Sequence, residues 1–259
     1  MAVVNVVGDF NDTQDVNNTI NGLGGDNWLR LQGGNDTAWG NDGEDTLNGG
    51  SGNDKLYGGK QADTLIGDTG NDSLSGDEGA DTIYGGVGND WASGGKGADD
   101  ITGAAGNDTL YGDDGADEIY GGANNDTLFG GKGADWIEGG SGDDKIYGNA
   151  GHDDMYGNGG DDTFYFASGD SPANEPDHIW DFRDGEDKIN IGKVSWDGRS
   201  GSGDPLDDAG VTVSDDGSDT TVTFTATGNV GGVPVAVVTA SFILVGFDSS
   251  KLDASDFSF

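Results

Sequence analysis

Cysteine is absent from the 259 residues, so no disulfide framework holds this chain together. Basic residues are scarce: 11 Lys and Arg stand against 49 Asp and Glu, a formal charge of −38. A nucleic-acid surface needs the opposite sign to neutralise phosphates, and that class is excluded. Hydrophobic residues reach only 32%, and self-repulsion at this charge opposes compaction. No stretch approaches the roughly 18 consecutive apolar residues of a transmembrane helix. The opening Met1-Ala-Val-Val-Asn-Val-Val-Gly-Asp9 lacks the basic region, apolar run and cleavage pattern of a signal peptide, so any export is expected to use a signal elsewhere. Neither H-E-x-x-H nor G-x-S-x-G occurs, no nucleophile–base pair stands out, and no catalytic residue is assigned. Composition alone points to disorder; the order of the residues overturns that.

Glycine fills 52 positions, and it recurs in phase with acid. Asp36, Asp45, Asp54, Asp63, Asp72, Asp81, Asp90, Asp99, Asp108, Asp117, Asp126, Asp135, Asp144, Asp153 and Asp162 lie nine apart, with Asn27 one step earlier. Two residues after each lies an apolar side chain, from Leu47 and Leu56 to Met155 and Phe164, with Ala38 and Ala92 as small exceptions. Two residues before each is glycine, except at Gln61 and Asn124, and five before it glycine recurs from Gly40 to Gly157. The unit is G-x-x-G-x-D-x-U-x, with U apolar. Glycines allow a tight bend with φ > 0 and close backbone approach, while x-U-x forms a short strand with only U facing inward.

This unit resembles the RTX (repeats in toxin) family over roughly residues 22–165, and the unbroken copies make the motif highly specific. The resemblance implies an all-β fold, a parallel β-roll with two nonapeptide repeats per coil turn. It also implies calcium, held between repeats n and n+2 by the fifteen aspartates above. Calcium takes six to eight oxygens, mixing carboxylates with backbone carbonyls, and needs no His or Cys.

A second pattern sits on the first. Before alternate aspartates come Asn35, Asn53, Asn71, Asn89, Asn107 and Asn125; before the others come mostly alanines, Ala62, Ala80, Ala98, Ala116 and Ala134. Three before the aspartate, one set is small and uncharged, and the other carries Asp42, Lys60, Glu78, Lys96, Asp114 and Lys132. Alternate repeats are therefore expected on opposite sides of an 18-residue coil, stacked at about 4.8 Å in a prism roughly 35 Å long. Eight repeats per side leave seven gaps, so about 14 calcium ions are expected at most. Twenty-eight positive charges against −38 leave −10, an ordinary charge for a soluble protein. Without metal, aspartates one strand spacing apart repel by several kcal/mol each, so metal binding is expected to be folding free energy.

After U, one repeat set presents Trp39, Tyr57, Tyr111, Phe129, Tyr147 and Tyr165 outward, and the other presents Tyr84, Tyr120 and Tyr156. A stripe of aromatics is a possible platform for sugar rings, although tyrosine also simply suits an exposed strand. Outward Thr46, Thr64 and Thr82 stack like an ice-binding ladder until Asp100, Glu118 and Asp154 break the row. His152 is expected in a solvated turn, and His178 in a structural or exposed position.

Three regions follow: an N-terminal cap over 1–26, the repeats over 27–166, and a β-rich C-terminal cap over 167–259. In the last, 167–177 with Pro172 and Pro176 reads as a linker, and 197–210 as a loop. Strands are expected at 178–182, 188–191, 211–213, 221–225 and 233–245, and a helical turn within 249–256 with Ser249 as N-cap. Asp161-Asp-Thr-Phe-Tyr-Phe, Asp177-His-Ile-Trp-Asp-Phe, Gly185-Glu-Asp-Lys-Ile and the ending Leu252-Asp-Ala-Ser-Asp-Phe-Ser-Phe259 are similar to the C-terminal part of serralysin-type RTX proteases. That similarity implies an uncleaved type I secretion signal at the end of the chain; the protease domain itself is missing. The expectation is a secreted, extracellular, non-enzymatic calcium-binding module, exported by type I machinery and acting at a cell surface or in a matrix. Polysaccharide binding through the aromatic stripe is the first alternative. A membrane-active, pore-forming protein is the second, disfavoured by the lack of a hydrophobic pore segment.

Overall fold

A computed structural model of the protein describes residues 3–6, 10–11, 17–167, 170, 175–191, 211–215, 218–230, 233–247, 249–252 and 256–258. The repeats wind into a parallel roll of about eight turns. Among the described residues, successive strands alternate between two facing sheets, of 12 and 13 strands, and within the roll each strand pairs with the strand two further on in the chain. Register is strict: Ala92 lies beside Leu74 and Leu110, and Ile101 beside Ile83 and Ile119. This is the parallel β-roll expected from the repeat, and the two alternating repeat sets do fall on opposite sides.

Each strand of the repeats buries one side chain fully. Leu56, Leu74, Leu110, Leu128, Ile146 and Phe164 from the first sheet meet Leu47, Leu65, Ile83, Ile101, Ile119 and Ile137 from the second, all at 0% exposure. The core is therefore a double column of aliphatic rungs, each rung contributing ~1.5–3 kcal/mol of burial. Its neighbours along the strand are half-buried or exposed, which is the period-2 signature of a pleated strand.

The strands are longer than x-U-x. Thr46–Ser51 and Lys55–Lys60, for example, run six residues and continue past the first glycine of the bend. Glycine permits this, because the residue after it takes a left-handed conformation while its neighbours stay paired: Gly50 has φ 94° and pairs with Asp68. Gln61, one of two breaks in the glycine pattern, sits at φ 76° without glycine's freedom.

The ladder also runs past both ends of the repeats. Val3–Val6 pairs with Thr19–Gly22, which pairs with Thr37 to Trp39, so the N-terminal segment adds coils in phase with the roll. Beyond Phe166, Asp177–Ile179 and Lys188–Asn190 each extend one sheet in parallel. An antiparallel meander follows: Val233–Val245 pairs with Asp177–Ile179 on one side and with Asp219–Val230 on the other, and Asp219–Val230 pairs with Val211–Asp215. Ser249–Lys251 makes one 3-10 turn, and Phe257–Ser258 pairs with Lys188–Asn190. Phe166 and Phe242 stack at 4.4 Å over the last rungs. The loop expected at 197–210 and most of the linker around Pro172 lie outside the described residues.

Candidate metal centre

The repeat aspartates form two columns, one beside each sheet. Every rung is tied to the next by the same bond. The backbone N–H of Asp36 donates to Asp54 Oδ1 at 2.7 Å, Asp54 to Asp72 at 2.7 Å, and Asp72 to Asp90 at 2.8 Å. In the other column Asp45, Asp63 and Asp81 donate to Asp63, Asp81 and Asp99, each at 2.7 Å. The 18-residue separation makes this possible, because it returns the chain to the same side one strand spacing on.

All fifteen predicted aspartates are buried, at 3% exposure or less. One carboxylate oxygen is thus accounted for. The other, Oδ2, is buried without a hydrogen-bond partner in Asp45, Asp54, Asp63, Asp72, Asp81, Asp90, Asp99, Asp108, Asp117, Asp126, Asp135, Asp144, Asp153 and Asp162. A buried ionised oxygen with no partner costs several kcal/mol, and a protein does not repeat that cost in every coil without a missing partner.

The position of those oxygens says what the partner is. A Cβ on Gly76, Gly112 or Gly130 would collide with Oδ2 of Asp81, Asp117 or Asp135, and with the carbonyl oxygen of Gly94, Gly130 or Gly148. A carboxylate oxygen from one coil and a carbonyl oxygen from the next therefore face the same small space, which glycine keeps open. Among the described residues no three His, Cys, Asp or Glu side chains converge on one point, so an ion here draws its remaining ligands from the backbone. An all-oxygen donor set with heavy carbonyl use fits a hard cation, and calcium in particular.

Electrostatics points the same way. Burial pushes Asp63, Asp72 and Asp117 up to about 7 and Asp126 and Asp153 up to about 8, with adjoining carboxylates of the same column adding to the rise. The backbone N–H bond to Oδ1 opposes this in each case and is too weak to cancel it. A cation in each gap offsets the cost of burying the charge and the repulsion between neighbouring carboxylates.

The columns are longer than the sequence predicts. Asp153 N–H donates to Asp177 Oδ1 at 3.0 Å, and Asp162 N–H to Asp187 Oδ1 at 3.1 Å. Both added residues are buried. Their separations of 24 and 25 residues break the nine-residue phase, so a count by nines passes over them. The signal that finds them is the triplet D-x-U, kept in Asp177-His178-Ile179 and Asp187-Lys188-Ile189. At the other end Asn27 holds the aspartate position with its N–H on Asp45 Oδ1 at 2.6 Å.

The alternating outer residues also find their reason. Asn53, Asn71, Asn89, Asn107 and Asn125 build an amide ladder along one edge, each N–H donating to the previous Asn Oδ1 at 2.9–3.0 Å. On the other edge the charged set stacks in opposite signs: Lys60 with Asp42 at 2.9 Å, and Lys96 with Glu78 and Lys132 with Asp114 at 2.6 Å. These pairs are exposed and worth little individually.

Of the six candidate ligand-facing aromatics, Trp39 and Tyr57 stack on each other at 5.7 Å. Tyr111, Phe129, Tyr147 and Tyr165 form a second stack with centroids 4.3–4.6 Å apart. Ser75 and Ser93 separate the two groups. Phe129 and Tyr147, inside the second stack, each have a neighbouring ring on both sides. The opposite sheet carries an aromatic cluster that sequence reading missed, Trp136, Tyr156 and Trp180, because Trp136 precedes its apolar residue and Trp180 follows the last repeat. His152, expected in solvent, is half-buried against His178 at 4.6 Å, and His178 Nδ1 lies 3.1 Å from Asp154 Oδ1. Among the described residues no helix is long and apolar enough to cross a membrane.

No curated protein matches the chain. Among solved structures it is similar to the solution structure of a subunit of the mannuronan C5-epimerase of Azotobacter vinelandii, at 24% identity over 73% of this chain and 80% of that one, with a TM-score of 0.31. It is also similar to the crystal structure of an extracellular lipase of Serratia marcescens, at 16% identity over 96% of this chain and 40% of that one, with a TM-score of 0.30. A family model, the RTX calcium-binding nonapeptide repeat (4 copies), matches residues 12–46, 30–65, 39–74, 57–92, 93–128 and 129–164. The C-terminal stretch likened to serralysin-type proteases lies almost wholly beyond that region. The matches run through more than half of the sequence and coincide with the two aspartate columns, and the chain belongs to the RTX calcium-binding nonapeptide-repeat family.

Proposed function

We propose that this chain is a non-enzymatic, extracellular module whose fold is switched on by calcium after export through type I machinery. The observation that carries this reading is the buried Oδ2 of Asp45 through Asp162, repeated oxygens without a hydrogen-bond partner in both columns. Bound calcium supplies neutralising charge; the chain supplies aspartate Oδ2 and glycine carbonyls on either side of each gap. In low calcium the carboxylates repel and the chain stays unfolded, which suits passage through a channel. In millimolar calcium the gaps fill and the coils stack. About 14 ions follow from seven gaps in each repeat column, and Asp177 adds one rung to the second column.

The test is a calcium titration followed by far-UV circular dichroism, with calcium per chain counted by elemental analysis. The expected result is loss of β-structure in excess chelator and its cooperative return with many ions bound. Full β-structure in chelator, or one or two ions at saturation, would refute the reading.

A further inference from the structure

We propose that Arg183 is a built-in cation that closes the first aspartate column, occupying in its last gap the place that calcium takes between earlier rungs. The inference rests on the calcium reading of the columns. The last gap lies between Asp162 and Asp187, joined by the same N–H to Oδ1 bond as every earlier pair. What differs is the second oxygen. In each repeat aspartate from Asp45 to Asp162 it has no hydrogen-bond partner, whereas Asp187 Oδ2 accepts the backbone N–H of Arg183 at 2.7 Å.

The guanidinium then bridges the rungs. Its Nε lies 3.9 Å from Asp187 Oδ2, and its Nη2 lies 3.9 Å from Asp162 Oδ2. The same Nη2 donates to the carbonyl of Gly160 at 2.8 Å, in the bend that precedes Asp162. One positive group thus faces two carboxylates of successive rungs and a bend carbonyl, the donor kinds an ion collects elsewhere. Glu186 Oε2 holds Nη1 at 3.0 Å from outside. The backbone is pinned as well: the N–H groups of Glu186 and Asp187 donate to the Arg183 carbonyl at 3.2 and 2.9 Å, around Gly185 at φ 80°. In the second column, Asp153 has no ion pair with a basic side chain among the described residues.

A gap that already holds a guanidinium repels a dication. The first column then ends on a rung that docks without metal, and calcium-dependent coils stack upon it. Arginine suits the task because its charge is permanent and its planar fork serves several oxygens.

The experiment compares wild type with Arg183→Gln at saturating calcium, counting calcium per chain by native mass spectrometry and monitoring fold by circular dichroism. Hydrogen exchange at the Asp162 amide is followed below saturation. The expected result is one more calcium per folded chain in the variant, with Asp162 protection at low calcium present in wild type and lost in the variant. A folded variant with an unchanged or lower count would overturn the proposal. If Arg183→Gln does not fold, Arg183→Lys, which keeps the cation, is expected to match the wild-type count; a higher count there overturns the idea. Wild type that binds no calcium overturns the column reading and this proposal together, whereas calcium-binding wild type with no gain in Arg183→Gln overturns only the latter.

Discussion

Replacing Asp117 by Asn tests the physics of the columns, because the change is expected to act with opposite sign in the presence and absence of metal. Asp117 Oδ1 accepts the N–H of Asp99 at 2.9 Å, and an amide oxygen accepts the same bond. The amide nitrogen then takes the place of Oδ2 beside the Gly130 carbonyl and donates to it. Burial, helped by Asp135 and Asp99, pushes the Asp117 carboxyl up to about 7, so at pH 8 the metal-free fold must carry a charge it disfavours. A rise from the ordinary aspartate range to about 7 corresponds to about 4 kcal/mol. Solvent screening at the bend reduces that to on the order of 1–3 kcal/mol. Without calcium, Asp117→Asn should stabilise the fold by that amount. With calcium it removes an anionic ligand and should destabilise by about 1.5–3 kcal/mol. The calcium midpoint is a poor readout: spread over about 14 ions, 3 kcal/mol moves it less than twofold. Urea midpoints at pH 8 read the effect directly, at saturating calcium and in chelator with a folding osmolyte. A fall in both conditions would refute the argument, since it would mean that the charge is no obstacle to the metal-free fold.

Acid should partly replace calcium. Asp63, Asp72 and Asp162 are pushed up to about 7 and Asp126 and Asp153 to about 8, chiefly by burial. With folded values above unfolded ones, stability is highest below about pH 4 and is lost as pH rises through 7 to 8. The chelated protein is therefore expected to gain β-structure by circular dichroism between pH 8 and pH 5, and a flat profile would count against the burial argument. Leu110→Ala empties a rung between Ala92 and Leu128 at a site with 0% exposure and should cost ~2–5 kcal/mol in calcium-saturated urea unfolding. Gly106→Ala should be worse tolerated than any surface change, because φ is 136° and its Cβ would meet the backbone of Gly88; soluble yield and thermal midpoint both report it. Gln61→Gly, at φ 76°, should raise the calcium-saturated unfolding free energy by ~1 kcal/mol, and no gain would mean that the strain is relieved locally.

Local spacing accounts for most of what was legible in the sequence. A nine-residue unit with D-x-U fixes one bend, one inward side chain and one carboxylate, and its repetition leaves few other solutions. The left-handed positions, the aliphatic column and all fifteen buried aspartates follow from that unit. The alternation before the aspartates placed the two repeat sets on opposite sides, because a coil of two repeats returns every second one to the same edge. Asp177 and Asp187 escaped because intervening segments shift them out of phase. They join the columns because the last rungs present unpaired strand edges that the returning chain satisfies.

The coil, its period and the oxygen chemistry of its bends all depend on residues within one or two repeats, and so they can be read along the chain before it folds. How the columns end, which rings cover one another, and the place of Arg183 beside Asp162 and Asp187 emerge only in the folded molecule. Those outcomes depend on where chain segments return after variable loops, and separation along the chain does not encode proximity in space.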